Sequence, residues 1–416
     1  MRKIDLNNFQ VATSETARDI NSRIMLNLVR KHQPISRADL TRYSGLQRST
    51  VSVITEQLIS ERWLREGDTA QAPRGRRPTF LHLNEDRAGF FGINVRPFAT
   101  NMALANLTAD FLAQESMPTP SSADQFVVQV SQRIRHLMAE FPQMAYEGIG
   151  VSLPGRVDLS SQKFIFAPNL NWRAEDLKER LEQATGLPVD LENEANACAL
   201  SEFWFGHHSD GARNLIAVAV SEGIGIGMVL NGQLVRGPSG LAGEFGHVAL
   251  TEEGPQCGCG NTGCWEVYAS NSAAVRYYND AVAAGRNGKG RLHGKNGKHS
   301  LNGKSSLNGA ITFEDVLELA EQGDLQALAA LDRMAHYLGT GIAMLVTGLA
   351  PDAIVVVGEV TRAWDRIEPI INEVVKRRSF THATTRIYAS GPAPQPRLRG
   401  IIALVLQKHF GAPAIG

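Results

Sequence analysis

The 416-residue chain is predicted to fold as an N-terminal winged helix-turn-helix followed by a larger α/β body. Three observations carry the prediction. Residues 1–82 hold 14 Lys+Arg against 8 Asp+Glu, whereas the rest holds 28 against 34, so a head at +6 precedes a body at −6. The head reads as helices joined by a short glycine turn and then a hairpin, while from Gly89 onward short apolar strands alternate with glycine turns and helices. One stretch, Gly243 to Glu266, gathers a histidine and three cysteines at close spacing. A chain this long exceeds a single hydrophobic core, so two or three domains are expected.

In the head, residues 16–31 (TARDINSRIMLNLVRK) predict a helix with Ile20, Ile24, Leu28 and Val29 on one side. Ser36 is a suitable N-cap and Asp39, three residues on, comes close to completing a capping box. The short helix that follows, SRADLTRYS, should turn Ala38 and Leu40 inward. Gly45 punctuates the chain, and residues 47–60 form a second helix with Val51, Ile54, Leu58 and Ile59 as its apolar stripe. Trp63-Leu64, a polar turn, APRGRRP and TFLHLN then read as a two-stranded wing with Gly75 at its tip, flanked by Arg74, Arg76 and Arg77.

Arg48, Ser49, Thr50 and Ser52 stand at the start of the second helix, where short hydroxyls and a guanidinium suit phosphate and base-edge contacts in a major groove. The wing-tip arginines suit a narrow, electronegative minor groove, and Gly75 lets the backbone approach closely. The alternative is a three-helix protein-binding module with a basic loop. The ordered run of helix-turn-helix, hairpin and GRRP tip favours double-stranded DNA.

In the body, strands are predicted at GFFGINV, NMALANL, EGIGVSL, PVDLEN, NLIAVAV, IGIGMVLNG, AIVVVG and RIYAS, with long helices at 124–140, 174–185, 324–349 and 365–377. Residues 285–309, rich in Gly, Asn and Lys, are too polar to bury a core and predict a mobile, solvated insertion between two helices. No apolar run reaches the roughly 18 residues of a membrane span. Met1 to Gln10 lack a signal-peptide core, and three of the four cysteines crowd into residues 257–264 rather than forming a disulfide framework. A reducing cytoplasm and no membrane insertion are therefore expected.

The strongest chemical signal is GEFGH ending at His247, then nine residues, then Cys257-Gly-Cys259-Gly-Asn-Thr-Gly-Cys264-Trp265-Glu266. Three thiolates and an imidazole make a tetrahedral Cys₃His set suited to zinc, with no position left open for water, so one structural zinc per chain is expected. The absence of a C-x-x-C pair argues against redox chemistry, and Cys198 reads as core.

This cluster resembles the zinc motif of the ROK family, which contains sugar kinases and sugar-responsive repressors. The resemblance runs over nearly the whole chain: EGIGVSLPGRVD, APNLNW, LPVDLENEANACALSEFWFG and VSEGIGIGMVLNGQLVRGPSGLAGEFGH are similar to successive family motifs. It implies an actin-like, ribonuclease-H-like pair of α/β lobes behind the head. The division expected is 1–82 for the head, 88–194 for the first lobe completed by a C-terminal helix at 396–411, and 195–395 for the second lobe with the zinc motif and the insertion. It further implies that sugar hydroxyls are held by Asn169, Asn193, Glu194, Glu244, His247 and Glu266, since carboxylates accept hydroxyl hydrogen bonds well. His247 would put one nitrogen on zinc and the other on the sugar. The bland reading of Glu244 and Glu266 is a pair of carboxylates that only brace the zinc.

Against the kinase members, the chain departs at each phosphate-handling element. The first phosphate loop, D-x-G-G-T in the kinases, appears as Gly92-Ile93-Asn94-Val95-Arg96-Pro97. Glu222 stands in the second loop, Glu359 on the adenosine side, and Glu194 at the position of the catalytic aspartate. Phosphoryl transfer needs all of these parts together, so ATP binding is not expected and the enzyme reading is rejected. The resemblance thus implies a DNA-binding regulator, most naturally a repressor, of sugar metabolism. It would be a homodimer or dimer of dimers on operator DNA, controlled allosterically by a sugar or sugar phosphate. The rivals are an ATP-dependent sugar kinase with a DNA-binding head, and a repressor controlled by a protein partner.

Overall fold

The structure is a computed structural model that describes residues 13–69, 79–158, 161–166, 170, 172, 176–206, 211–237, 240–288, 311–379, 384–391 and 395–411. The wing tip with Arg74, Gly75, Arg76 and Arg77, the sugar candidate Asn169, and residues 289–309 of the predicted insertion lie outside the described residues.

The chain forms two compact units: one of residues 1–157, 162–192 and 401–416, the other of residues 158–161 and 193–400. The first unit begins with the head. Helix α1 (Ser14–His32) precedes strand β1 (Ile35–Ser36), and α2 (Arg37–Ser44) and α3 (Arg48–Ser60) follow. Strands β2 (Leu64–Thr69) and β3 (Thr79–Leu83) complete a three-stranded sheet in the order β1-β3-β2, one strand more than the predicted hairpin. Ser36 caps α2 with a full capping box to Asp39. Gly45 then ends α2 at φ 71°, the left-handed turn that a residue without Cβ adopts at no steric cost.

Of the predicted stripe of α1, Val29 is buried as expected, but Ile24 is 41% exposed, and Met25 and Leu26 are buried in its place. Positions 25, 26 and 29 fall on one face at helical spacing, and that face meets α2 and α3. Ala38, also expected inside, is exposed, and Leu40 alone of α2 is buried. In α3 Val51, Ile54 and Leu58 are buried as expected, joined by Thr55.

The same unit continues through β4 (Ala88–Val95), β5 (Ala99–Ala105), β6 (Phe111–Pro118), α4 (Ala123–Glu140), β7 (Ala145–Leu153), β8 (Arg156–Asp158), β9 (Lys163–Phe166), α5 (Leu177–Thr185) and β10 (Val189–Asn193). Its five-stranded sheet has the order β10-β7-β4-β5-β6. Strand β4 is buried along its whole length and pairs antiparallel with β5 and parallel with β7, so its continuous apolar run is what a strand covered on both faces requires.

The second unit opens with α6 (Glu194–Phe205), then β11 (Leu215–Val220), β12 (Ile224–Leu230) and β13 (Gln233–Leu234). It continues with α7 (Glu266–Ala269), α8 (Asn271–Gly288), α9 (Phe313–Glu321), α10 (Leu325–Leu349), β14 (Ala353–Val357), α11 (Trp364–Arg378) and β15 (Arg386–Ala389). Its sheet, β13-β12-β11-β14-β15, repeats the first: β11 pairs antiparallel with its sequence neighbour β12 and parallel with β14. Helices α8, α9, α10 and α11 bury one face of this sheet, with Ile216, Val218, Val220, Met334, Leu338 and Ile342 in one cluster. Helix α8 runs to Gly288, so the first four residues of the low-complexity stretch are helical. A last helix, α12 (Pro396–Phe410), has its first turn in this unit and the rest, from Ile401, in the first. Among the described residues no helix is long and apolar enough to cross a membrane.

Candidate functional site

The metal candidates come together as the spacing requires. One ligand atom from each of His247, Cys257, Cys259 and Cys264 falls within 4.8 Å of the others. His247 ends a 3₁₀ turn, Glu244–His247, and the cysteines lie on a loop folded back on itself. The Cys257 N–H donates to the Asn261 carbonyl at 2.8 Å, and isolated bridges join Ala249 to Cys264 and Gln256 to Thr262. Gly263, at φ 70°, lets the loop press on Thr251, where a Cβ would lie 2.0 Å from the carbonyl oxygen. Trp265 anchors the loop: it is fully buried, donates from Nε1 to the Tyr337 carbonyl at 3.0 Å, and lies against Gly341 of α10, where a Cβ would sit 1.9 Å from its ring.

This donor set fits a metal ion. His247 Nδ1 lies 3.5 Å from Cys257 Sγ, and Cys259 Sγ lies 3.7 Å from Cys264 Sγ. Burial holds the Cys257 and Cys264 thiols above the ordinary thiol range, whereas a backbone hydrogen bond from Asn261 draws Cys259 below it. A divalent cation held by these four residues would supply the charge that lets all three thiols ionise together.

The carboxylates around this cluster have distinct partners. Glu266 Oε1 accepts from the Cys257 thiol at 2.8 Å and lies 3.4 Å from His247 Nδ1. Glu244 Oε2 lies 3.6 Å from the other ring nitrogen, Nε2. The imidazole thus turns one nitrogen to the thiols and the other to Glu244.

Strand β12 joins this cluster to the start of α6. Gly243 and Gly246 press on the carbonyls of Ile226 and Ile224, and Gly225 and Gly227 press on Ala195; a Cβ at any of the four would stand 2.1–2.8 Å from those atoms. Residues 224–227 therefore receive the His247 turn and the first turn of α6. Asn193 caps α6, its side chain accepting from the Ala195 N–H at 2.8 Å. Glu194, the first residue of α6, is ion-paired with Arg397 of α12. Arg397 is 8% exposed, and its Nη2 has no hydrogen-bond partner among the described residues. The sequence carries no local sign of this pair, because its members lie far apart in the chain. Cys198, one turn further along α6, is fully buried, which pushes its thiol up to about 12.

At the first phosphate-loop position, Asn94 is buried and accepts from Ser152 Oγ at 2.8 Å. The Arg96 carbonyl accepts from Thr119 Oγ1 at 2.6 Å and its N–H donates to the Ala99 carbonyl, so this turn is tied down by its own neighbours. The Glu222 carbonyl accepts from Ser272 Oγ at 2.9 Å, and Glu359 Oε2 accepts from Asn271 Nδ2 at 3.2 Å. Both glutamates thus contact the start of α8. In the head, Arg48 and Ser49 are exposed, and Thr50 and Ser52 are half-buried at the start of α3.

Known proteins resemble the chain over most of its length. A Bacillus subtilis xylose repressor is 32% identical over 374 residues, covering 89% of this chain and 90% of that one. A crystal structure of a ROK family transcriptional regulator, a homologue of the E. coli MLC protein, superposes with a TM-score of 0.78 at 25% identity, covering 95% of this chain and 98% of the other. A Streptomyces griseus ROK glucokinase in complex with glucose and AMPPNP reaches a TM-score of 0.64 at 29% identity, covering 76% of this chain and 98% of its own. The family profile matches residues 91–408, which begin just after the head. The chain therefore belongs to the ROK family, with the actin-like body of that family behind a DNA-binding type of head and a length shared with its repressors.

Proposed function

We propose that this protein is a sugar-responsive transcriptional repressor whose head grips operator DNA and whose second unit holds the sugar beside a structural zinc. The observation that carries the reading is the full-length match: the regulator structure covers 95% of the chain, head included. The finer division into 1–82, 88–194 with 396–411, and 195–395 belongs to the same proposal. So do a cytoplasmic site of action and a homodimer or dimer of dimers, which would set two heads on a palindromic operator.

In the head, Arg48, Ser49, Thr50 and Ser52 at the start of α3 meet the major groove, and the arginines flanking Gly75 meet the minor groove. In the second unit, His247, Cys257, Cys259 and Cys264 hold one zinc, which supplies a fixed orientation to the imidazole. That leaves Nε2 and the neighbouring Glu244 to bind adjacent hydroxyls, with Glu266, Asn193 and Glu194 as the further candidates in that unit; Asn169, outside the described residues, stays a candidate by family resemblance alone. The name of the Bacillus subtilis relative makes D-xylose the first sugar to test.

The glucokinase likeness favours a second reading, a sugar kinase with a DNA-binding head. Against it stand the carboxylates Glu222 and Glu359 in the phosphate region, the pinned amide of Asn94, and the engagement of Glu194 by Arg397. One experiment separates the readings. The wild-type chain is titrated onto a duplex that it enriches from a randomised pool, with and without a panel of sugars led by D-xylose, while ADP release from ATP is followed with the same sugars. A sugar-dependent change in duplex affinity without ADP supports the repressor. Sugar-dependent ADP release supports the kinase.

A further inference from the structure

Helix α12 touches both ends of the proposed signalling route. In its first turn, buried Arg397 is ion-paired with Glu194 of the proposed sugar site. Gly400 there approaches α6 so closely that a Cβ would lie 1.6 Å from the Ala197 carbonyl, which fixes this turn against the helix that presents Glu194. Past that turn, Ile401 and Ile402 pack against Gly150 and Gly92 of the first sheet.

At its other end α12 meets the head. A helix leaves its last carbonyls without intrahelical partners, and here helix α1 supplies donors. Asn27 Nδ2 donates to the Phe410 carbonyl at 2.6 Å, and Arg23 Nη1 donates to the Gly411 carbonyl at 2.9 Å. The Arg23 charge also suits the negative end of the helix dipole. One helix of 15 residues thus carries Arg397 in its first turn, within the second unit, and the capped carbonyls at its other end, within the first.

We infer that α12 carries the sugar signal: Arg397 is a positioning residue that ties Glu194 to the helix, and the cap formed by Arg23 and Asn27 passes displacement of the helix to the head. A sugar hydroxyl that engages Glu194 competes with the guanidinium for the same oxygens. The guanidinium already carries a donor with no partner among the described residues, so a rearrangement that supplies an acceptor is favoured. The ion pair and its loosened form are then two arrangements of one element, which is what coupling between two ligands requires.

The inference rests on the repressor reading, and its test separates the two. Duplex affinity with and without saturating D-xylose, and the other sugars of the panel, is measured by fluorescence anisotropy for the wild type and for Asn27→Asp. That variant replaces the donor with a carboxylate facing the end of α12. Xylose affinity without DNA is measured by calorimetry. In the wild type, sugar shifts duplex affinity about 5–150-fold, the usual range of allosteric coupling. In Asn27→Asp the sugar binds within twofold of wild type, yet the shift falls below about threefold. Arg23→Gln, which removes the second donor, weakens the response in the same direction and serves if Asn27→Asp fails to fold by circular dichroism. A variant that keeps the full wild-type shift overturns the inference while leaving the repressor reading intact. A wild-type chain that binds duplex but ignores every sugar overturns the reading itself, and the inference with it.

Discussion

The two five-stranded sheets share a plan and differ in what their first turns are used for. In each, an antiparallel pair of sequence neighbours, β4-β5 or β11-β12, stands beside a parallel strand, β7 or β14. In the first sheet the turn after β4 is closed by its own surroundings, with Asn94 on Ser152 and Arg96 on Thr119. In the second, the glycines of β12 admit α6 and the His247 turn, so carboxylates, an imidazole and three thiols gather there. The same topology thus yields a half whose turn is filled by its own side chains and a half that gathers a set of residues able to hold a metal. What separates them is where glycine lets backbone approach backbone and where a polar side chain fills the gap.

The largest expected effect breaks the second half alone. Trp265→Ala removes a fully buried ring from between the metal loop and α10 and should cost about 3–5 kcal/mol by chemical denaturation. A loss under about 1 kcal/mol would mean that the loop does not depend on its anchor. Cys257→Ala should take zinc content from about one per chain to near none, measured on dialysed protein by mass spectrometry, and abolish sugar binding while leaving the head folded. Retention of zinc by this variant would move the site elsewhere.

In the first half, Ser152→Ala leaves the Asn94 carbonyl oxygen buried without its donor and should cost about 1–3 kcal/mol without changing sugar affinity. The smallest effect is one of pH. Burial beside Trp63 and Phe90 holds His409 below the ordinary imidazole range; Glu147 opposes this, and Arg87, Arg23 and Lys408 add to it. The unfolded chain takes up this proton first, so the stability it contributes is complete above about pH 6.5 and declines as pH falls through the lowered folded value. Tm should therefore drop more steeply between pH 7 and pH 5 in the wild type than in His409→Phe.

Much of this difference was legible in the residues. The apolar runs of β4, β11 and β14 mark strands buried on both faces, and the tight Cys-Gly-Cys spacing marks the metal loop. Strand β6 alternates in exposure, but FLAQESMP neither alternates in polarity nor has the continuous apolar run of its neighbours, so it carries no strand signature. The α1 stripe is legible at Val29 but ambiguous before it, since Ile24 and Met25 are both apolar and only packing against α2 and α3 selects Met25. The partners of Glu194 and Asn94 were invisible for another reason: ion pairs and hydrogen bonds between residues distant in sequence have no periodicity to betray them.

The central proposal is that the second unit holds the sugar through carboxylates set around a metal-fixed histidine. Calorimetry of the zinc-loaded wild type against D-xylose and the wider sugar panel, repeated with Glu244→Gln, tests it. The prediction is one site per chain for at least one sugar, with affinity at least tenfold weaker in the variant, about the cost of a hydrogen bond to a charged group. Equal affinity in wild type and variant, or no heat with any sugar on zinc-loaded protein, would contradict it.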